Sequence, residues 1–597
     1  MKRLNKTLAF LLAFSILISL TSCASTSSVP QVERIRNTDP YKPEFGEQMG
    51  SSPTDPGVTI TPPPDDGINY MSMYIAYAGN EISDNNEIAD IIAEKTGVKV
   101  KESYLNGITD NEAIDIIIAS GDAPDFIDGG MYNYNLYAND MLVAWDPYLE
   151  EYPLLKELYT DEEWDKFRQD DGHIYWANIL DNPYMKDTST IHNGLAFWIQ
   201  VRVLEWAGYP QIETLDEYFE LLERYAEANP TMPDGSAVIP YTCISESWRN
   251  YALEEAPMLL DGYPDNHCVI VNTDDGINNP KVVDYNTTDT ARAYFAKLNE
   301  EYNKGVLDPD FAVQTYDEYI SKLSTGRVLG MCDQYWDFAY MVGDVFQYDV
   351  KSEGGQVYTL SDIGCDYVPL GLVAENGMEQ RYHTYRDTID YSSGIAVTTS
   401  CIDPELAFKF LNDLLSQEIH DLRFWGIEGV DYLVDENGLY YRTIEMNNNW
   451  KNPDYLYKHC CKYSYMPQHT GMSRDGKNRN LPEQQPSIFK ATLPEDVAKC
   501  FDTYVVDNYV EFLGSVYVEP EPWYPMWTWS NELTTSTAYG TRWMRMNETK
   551  AEWLPQVVIS ADFDSAWDSY MEAYENCEPE IFLDAAQAEV NKRLAGT

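Results

Sequence analysis

The sequence predicts a helix-rich α/β fold that is divided into more than one lobe. The chain has 597 residues, which is more than a single hydrophobic core usually serves. Hydrophobic residues make up 44% of it, enough to form large cores. Helix capping boxes such as Thr109-x-x-Glu112 alternate with short apolar runs such as PDFI at 124–127. This alternation of helix and strand signals is typical of α/β proteins.

The N-terminus reads as a secretory signal sequence over residues 1–22. Lys2, Arg3 and Lys6 precede an apolar run at 8–20, which is the order of charge and apolar residues found in such signals. The run ends in the letters LTSC, which resemble a bacterial lipobox. In signals of that kind the cysteine is lipidated and becomes the first residue of the mature chain. Cys23 is therefore the predicted lipidation site.

Residues 23–67 are predicted to form a flexible tether. They are rich in Ser, Thr, Pro, Asp and Gly, as in SSPTDPG and TPPPDDG, and they show no helical or strand periodicity. A diacylglyceryl anchor supplies two lipid chains, which stable membrane attachment requires. We expect this anchor to hold the folded body at the extracellular face of the cell membrane. No later run reaches the roughly 18 apolar residues of a membrane span.

The folded part begins near residue 68. A helix is predicted over 84–97 and another over 109–121, because each stretch opens on a capping residue and closes on glycine. Strands are predicted at 98–100, where valines alternate with lysine, and at 124–127. The same signals predict helices over 214–229, over 403–414 and within 562–594.

The charge and the cysteines exclude several functions. The net charge of −57 repels phosphate backbones, so the sequence predicts no nucleic-acid binding. Nine scattered cysteines follow Cys23, and an odd number without a C-x-x-C pair argues against a dense disulfide framework. The histidines and cysteines between 459 and 469 match no zinc-site spacing. No metal and no other cofactor is predicted.

Several motifs share their order with one known family. They are EIADIIAEKTGVKVKE followed by AIDIIIASGDAPDFI, then DGHIYWANI, FWIQVRVLEWAGYPQIETLDEYFELLE, SSGIAVTTSCIDPELAFKFLNDLLSQE and WGIEGVDYLVDENGLYYRT. Together, behind a lipobox, they resemble an extracellular solute-binding lipoprotein of a bacterial ABC sugar importer. The resemblance is to the large lipoprotein branch of the family 1 sugar-binding proteins.

The resemblance implies a two-lobed, periplasmic-binding-protein-like α/β fold with a ligand cleft between the lobes. It implies no catalysis, a monomer, and delivery of the solute to ABC permease subunits in the membrane. We expect residues 68–180 and about 390–515 to form the first lobe. Residues 181–389 and about 516–597 would form the second lobe.

The chain departs from the family pattern in two places. Relatives often carry a calcium loop after the TLDEY helix, but NPTMPDGSAVIP at 229–240 lacks the alternating oxygen ligands that calcium needs. Relatives also often carry Arg where this chain has Gln200, and loss of an Arg removes a bidentate carboxylate clamp. We therefore predict no calcium at 229–240 and a neutral ligand.

The candidate ligand contacts fall into two groups. Open α/β sheets bind ligands beyond the carboxyl ends of their strands, which favours Asp128, Gly129, Tyr132 and Tyr134 after the PDFI strand. Sugar rings stack on aromatic side chains, and polar groups bind their hydroxyls. The second group comprises Trp176, Trp198, Gln200, Trp248, Trp336, Trp425, Glu428, Trp523 and Trp527. Packing inside a lobe is the alternative for each aromatic residue.

The function predicted from the sequence is the capture of a neutral oligosaccharide or sugar for an importer. A surface glycoside hydrolase is one alternative, and it would need two carboxylates about 5–10 Å apart across a cleft. The 98 acidic residues leave room for such a pair, although no nucleophile motif supports it. A peptide-binding receptor is the other alternative, since it would differ only in the lining of its cleft.

Overall fold

A computed structural model describes residues 67–178, 183–184, 186–383, 389–515 and 520–595. The predicted signal sequence, the lipidation site Cys23 and the tether up to residue 66 lie outside these residues. In the described part of the chain, no helix combines the length and the apolar character that a membrane span requires.

The chain forms seventeen strands within these ranges. They are β1 (Asn69–Ile75), β2 (Val98–Tyr104), β3 (Phe126–Asp128), β4 (Trp176–Ala177), β5 (Pro183–Tyr184), β6 (Leu195–Gln200), β7 (Ile239–Thr242), β8 (Ile270–Asn272), β9 (Lys281–Val283), β10 (Val328–Gln334), β11 (Val350–Lys351), β12 (Val357–Tyr358), β13 (Tyr367–Leu370), β14 (Ile395–Val397), β15 (Leu433–Val434), β16 (Tyr440–Tyr441) and β17 (Thr470–Gly471).

Two sheets organise the molecule. The first has the order β2-β1-β3-β14-β4, with β1 parallel to β2 and β3 and with β14 antiparallel to its neighbours. The second has the order β13-β6-β10-β7, with β10 parallel to β7 and antiparallel to β6. Each sheet lies in its own hydrophobic core, so the predicted two-lobed α/β architecture is confirmed.

Helices cover both sheets. Around the first core they are Glu87–Thr96, Asp110–Ser120, Asn133–Ala138, Asp146–Glu151, Pro153–Lys156, Asp161–Lys166, Pro404–Asp413, Gln417–Phe424, Ile444–Asn449 and Pro453–His459. Around the second core they are Val201–Trp206, Leu215–Ala228, Tyr251–Glu254, Ala256–Leu260, Asp289–Lys304, Tyr316–Ser324, Tyr335–Val342, Pro486–Thr492, Glu495–Tyr504, Tyr509–Leu513, Trp527–Ser530, Ala538–Ile559, Phe563–Glu575 and Glu580–Ala595.

The helix signals in the sequence correspond closely to these bounds. The capping boxes at Thr109 and Thr214 are both formed, and Gly97 ends the first helix in the left-handed conformation. The cap of that helix is different from the prediction, because Asn86 and not Asp84 accepts from its first turn. Asn86 is held there by hydrogen bonds to carbonyls of residues 457 and 460, which local sequence does not reveal.

Among the described residues, the chain changes from one core to the other three times. The crossings lie between Ala177 and Leu195, between Tyr382 and Ile389, and between Met466 and Phe489. Residues 489–513, predicted from the sequence to belong to the first lobe, pack in the second core. The amphipathic helix Glu495–Tyr504 buries Val497, Cys500 and Phe501 there, and this draws the segment into the second lobe.

Gly394 lies where β14 meets β4 in the first sheet. Its φ is +129°, and an added Cβ would stand 2.1 Å from the carbonyl oxygen of Ala177. We expect Gly394→Ala to lower the free energy of unfolding by at least about 3 kcal/mol, because backbone strain and overlap with a fixed strand add together.

A glycine in open space provides the control for this prediction. Gly276 also has a positive φ of +101°, but nothing lies within 4 Å of an added Cβ. Gly276→Ala should therefore lose only the strain contribution in urea unfolding, about 1–2 kcal/mol. Equal losses for the two variants would contradict the close approach at Gly394.

Candidate functional site

A cavity of about 530 Å³ opens in the second lobe. Its aromatic lining comprises Trp248, Tyr251, Trp336, Trp527 and Trp543. Its polar lining comprises Ser247, Asn250, Glu254, Glu255, His267, Gln334, Ser530, Asn531 and Asn547. We call this the aromatic cavity. Its volume lies within the range of small-molecule sites.

The edge of the second sheet positions the first wall of the aromatic cavity. β10 ends at Gln334, and the helix that follows at once carries Trp336. β7 runs parallel to β10, and the chain beyond it turns through Ser247–Asn250, which carries Trp248. Both tryptophans thus lie beyond the carboxyl ends of parallel strands, where α/β sheets place their ligands.

The C-terminal part of the chain supplies the opposite wall. The short helix Trp527–Ser530 places Trp527 in the lining, and the long helix Ala538–Ile559 adds Trp543 and Asn547. The ring of Trp543 stacks on Phe582 at 4.6 Å between centroids, which fixes its orientation. Segments that are distant in sequence therefore meet at one site.

Trp248 and Trp336 form an exposed, stacked pair. Their ring centroids are 5.8 Å apart and their planes differ by 8°. Trp248 is 56% exposed and Trp336 is 39% exposed, so a large indole area faces solvent. Exposed indoles are costly unless something covers them, and aromatic faces suit flat apolar ligand surfaces. The pair is a ready platform for a ring-shaped ligand.

Polar groups stand beside the platform. Asn250 is only 5% exposed, its Nδ2 donates to Glu254 at 3.0 Å, and its Oδ1 has no hydrogen-bond partner in the described part of the chain. Gln334 accepts from the indole N–H of Trp336. Buried polar atoms are normally hydrogen-bonded, so Asn250 keeps an unused acceptor, although this oxygen is itself covered by its neighbours.

Asp333 stabilises the tryptophan pair through Tyr251. It is fully buried in β10 and accepts hydrogen bonds from the hydroxyls of Tyr251 at 3.1 Å and Tyr319 at 2.7 Å. The ring of Tyr251 in turn lies 5.9 Å from that of Trp248. Burial, followed by the charge of Asp337, raises the pKa of Asp333 to about 7. Asp337 itself is paired with Arg249 at 3.0 Å.

The raised pKa of Asp333 gives a pH-dependent stability. Between about pH 4 and pH 7 the folded state holds a proton that the unfolded state releases, so stability falls as the pH rises through this window. Between pH 5 and pH 8 we expect the wild type to lose roughly 2–4 kcal/mol more unfolding free energy than Asp333→Asn loses. Urea unfolding at both pH values measures it, and parallel pH profiles for wild type and variant would contradict the assignment.

Three further ionisable groups line the aromatic cavity. Burial raises the pKa of Glu254 to about 7 and that of Glu255 to about 8. Burial opposes a charge on His267, but the neighbouring carboxylates of Asp265 and Glu255 outweigh it and raise its pKa to about 10. The cavity can therefore offer hydrogen-bond donors as well as acceptors near neutral pH.

The first lobe presents a smaller aromatic pair beyond β1. Tyr77 stacks on Tyr465, with ring centroids 5.5 Å apart and planes 14° apart, and Tyr77 is 39% exposed. Gly130 lies against it, since an added Cβ there would stand 2.8 Å from the Tyr77 hydroxyl. Both residues follow the carboxyl ends of parallel strands in the first sheet.

Solved structures share this architecture. An HMO-binding, ABC-transporter-associated solute-binding protein from Bifidobacterium longum infantis matches with a TM-score of 0.59 at 14% identity, covering 88% of this chain and 99% of that one. The S. pneumoniae ABC-transporter substrate-binding protein FusA, solved with kestose, matches with 0.56 at 17% identity, covering 89% and 100%. The alginate-binding protein AlgQ2 matches with 0.54 at 15%, covering 88% and 98%.

The chain has the two-lobed fold of the solute-binding proteins. No protein-family model matches the sequence, and no curated protein gives a significant match. The likeness is therefore one of fold, over almost the whole length of the solved proteins.

Within this solute-binding fold, three of the predicted tryptophans meet at one place. Trp248, Trp336 and Trp527 all line the aromatic cavity, although the third lies almost 200 residues beyond the second in the sequence. We keep these three as proposed ligand contacts. Their convergence makes the cavity the candidate site of the second lobe.

The other four tryptophans lie within the cores of the solute-binding fold. Trp176, Trp198 and Trp425 are buried, and each donates its indole N–H to a backbone carbonyl at 2.9 Å. Trp523 is buried in the second core. These side chains are occupied by packing: Trp176 and Trp198 sit within strands, whereas Trp425 and Trp523 lie in turns that fold against a core.

Two predicted polar contacts are also placed elsewhere. Gln200 is fully buried, donates to the carbonyl of Gly326 at 3.0 Å and accepts from Arg202 at 2.7 Å. Gln200 therefore has a structural role in the second lobe. The absence of Arg at this position gives no information on the charge of the ligand. Glu428 is exposed, forms a β-bridge with Tyr432, and is not among the residues that line the aromatic cavity.

The residues predicted after β3 are mainly structural. Asp128 is buried, accepts from the amide of Gly130 at 3.0 Å, and burial raises its pKa to about 6. The amide of Gly129 donates to Asn133 at 3.0 Å. Tyr132 packs against the first core, whereas Tyr134 is exposed. Tyr77 is a second exposed aromatic residue beyond this sheet edge, and the strand-end rule, applied to β1, would have found it.

Asn250, Gln334, Trp543 and Asn547 line the aromatic cavity but were not predicted from the sequence. Gln334 could have been found, because it ends the strand just before Trp336. Nothing in the sequence around Trp543 and Asn547, in the helix Ala538–Ile559, marks them as ligand contacts. Only the docking of that helix on the second lobe brings them to the site.

Proposed function

We propose that the chain is an extracellular substrate-binding lipoprotein of an ABC transporter, which captures a neutral oligosaccharide or sugar between its lobes. The observation that carries the proposal is the exposed, stacked pair of Trp248 and Trp336 in a cavity that is otherwise lined by polar side chains. Indole faces stack on the apolar faces of sugar rings, and amides bind their hydroxyls. Two solved structures with this fold support the proposal, since one is an HMO-binding protein and the other was solved with kestose.

The charges around the aromatic cavity favour a neutral ligand. Arg249 is paired with Asp337 at 3.0 Å, and Lys550, behind the cavity wall, is paired with Asp284 at 2.8 Å. His267 lies 2.9 Å from a carboxylate oxygen of Glu255. These three cations at the cavity are thus already paired. The carboxylate of an anionic sugar would have to compete with those partners for them.

Capture would bring the two lobes together on the ligand. The pair Tyr77 and Tyr465 of the first lobe would cover the sugar held by the tryptophans of the second lobe, as in hinge closure of two-lobed receptors.

Lipidation of Cys23 would hold the monomer at the outer face of the cell membrane, beside its permease subunits. Mass spectrometry of the N-terminal peptide tests the anchor, and an unmodified Cys23 would refute it.

A thermal-shift screen tests the ligand class. A ligand that binds only the folded state at 100 times its Kd adds about 2.7 kcal/mol of stability. We expect neutral oligosaccharides to raise the melting temperature, and uronate oligomers and peptides of similar length to leave it unchanged. A shift produced by peptides alone would support a peptide receptor in place of a sugar receptor.

One observation favours the hydrolase alternative. Glu254 and Glu255 line the cavity with raised pKa values, as general acids of glycosidases do. The binding role predicts saturable binding with no release of reducing ends from the oligosaccharide that shifts the melting temperature. Release that is lost in Glu254→Gln or Glu255→Gln would establish the hydrolase instead.

A further inference from the structure

The wall of the aromatic cavity contains a cluster of metal-ligating groups. Glu255, Asp265 and His267 each offer one ligand atom, and these atoms all lie within 4.8 Å of one another. We propose that the three side chains bind a divalent transition-metal ion of the Zn²⁺ type. The proposal concerns metal binding itself and does not depend on the ligand that the cavity takes.

The distances fit a shared ion. Nδ1 of His267 lies 2.9 Å from a carboxylate oxygen of Glu255 and 3.5 Å from Oδ1 of Asp265. Ligands of a tetrahedral ion with bonds of about 2.0–2.2 Å are roughly 3.3–3.6 Å apart. A small outward movement of the Glu255 carboxylate would therefore admit the ion without moving the backbone.

The charge balance also calls for a cation. Glu254, Glu255 and Asp265 bring three carboxyl groups to this wall, and His267 is the cation that faces them. Lys550 cannot compensate, because it is engaged with Asp284 at 2.8 Å. His267 carries one positive charge against these three carboxyl groups, so a divalent ion that replaces its proton would bring the charge at this wall closer to balance.

An independent observation points to a ligand at the same wall. Asn250 lines the aromatic cavity with Glu255 and His267. It is 5% exposed, and its Oδ1 has no hydrogen-bond partner among the described residues. An acceptor left free in this way suits a water molecule or hydroxyl group carried by the ion.

The surroundings hold the histidine in place. The hydroxyl of Tyr285 donates to the backbone carbonyl of His267 at 2.8 Å, and the ring of Trp527 stands 6.2 Å away. The neighbouring Asn266 accepts from the amide of Met526 at 3.1 Å. Supports of this kind orient ligands before a metal binds.

The donor set selects the kind of ion. One imidazole nitrogen and two carboxylates suit Zn²⁺ and its neighbours, whereas Ca²⁺ prefers a shell of oxygens. Three protein ligands leave a fourth position open towards the cavity. A sugar hydroxyl would fill this position in the complex, and this step rests on the proposed function.

Equilibrium dialysis with Zn²⁺ tests the site on the full chain after treatment with a chelator. We expect one tightly bound Zn²⁺ per chain and no competition from Ca²⁺. His267→Asn and Glu255→Gln should weaken binding by more than the roughly 10- to 100-fold that loss of a group supporting a metal ligand costs. The measurement contains no sugar, so its failure would be separate from failure of the receptor role.

His459 provides a matched control. It also contacts two carboxylates at 2.8 Å, Glu87 through Nδ1 and Asp431 through Nε2, but opposite ring nitrogens cannot chelate one ion. His459→Gln should therefore keep the tight Zn²⁺ site. If His267→Asn does not fold, the visible d–d bands of Co²⁺ added to the wild-type chain show whether the ion has protein ligands. No tight Zn²⁺, equal Zn²⁺ binding in His267→Asn, or a Co²⁺ spectrum of the hexa-aquo ion would overturn the proposal.

Discussion

Replacement of Trp248 or Trp336 by alanine is expected to weaken oligosaccharide binding roughly 30-fold and to leave the fold intact. A tryptophan at the centre of a binding site is commonly worth about 2 kcal/mol or more on truncation. The two rings are 56% and 39% exposed in the free protein, so their removal costs less stability than removal of a core tryptophan. Titration calorimetry with the oligosaccharide found in the thermal-shift screen measures the change in Kd.

Trp206 is the control for this experiment. It is 42% exposed, packs edge-on against Tyr225 and lies under Arg224, outside the lining of the aromatic cavity. Trp206→Ala should leave the Kd unchanged. A loss of affinity in all three variants would indicate a general effect on the lobe and would remove the platform from the site.

Replacement of Lys550 by methionine is expected to cost about 3–5 kcal/mol of unfolding free energy. Lys550 and Asp284 are both fully buried and lie 2.8 Å apart, and Tyr574 donates to the same carboxylate at 2.9 Å. The variant would leave the charge of Asp284 unpaired in the second core. Urea unfolding measures the loss.

The double variant Lys550→Met with Asp284→Asn separates charge from packing. It removes both charges and keeps similar volumes, so it should recover most of the stability lost in the single variant. A double variant as unstable as the single one would show that the methionine fits poorly and that the ion pair is not the cause.

Much of the fold could be predicted because its signals are local. The capping boxes at Thr109 and Thr214 and the glycine stops at Gly97 and Gly121 depend on neighbouring residues alone. Asn86 was missed as a cap because carbonyls far along the chain hold its side chain. The placement of residues 489–513 was missed for the same reason, since it depends on which core accepts the helix.

The site could be predicted only in part. Trp336 and Trp198 both lie near strand ends in the sequence, but Trp198 sits within β6 and is fully buried, whereas Trp336 lies in the first turn of the helix beyond β10. A shift of a few residues relative to a strand end thus decides between core and site. Asn547 and Trp543 reach the cavity from a helix more than 200 residues later, and no local pattern encodes that contact.

Hydroxyl-radical footprinting of the tryptophans tests the central claim most directly. The account predicts that a saturating neutral oligosaccharide protects Trp248 and Trp336 from oxidation and leaves Trp206 unprotected. Because the three residues have similar exposure in the free protein, they report on ligand contact under the same conditions. Saturating binding that leaves Trp248 and Trp336 as reactive as in the free protein would contradict it.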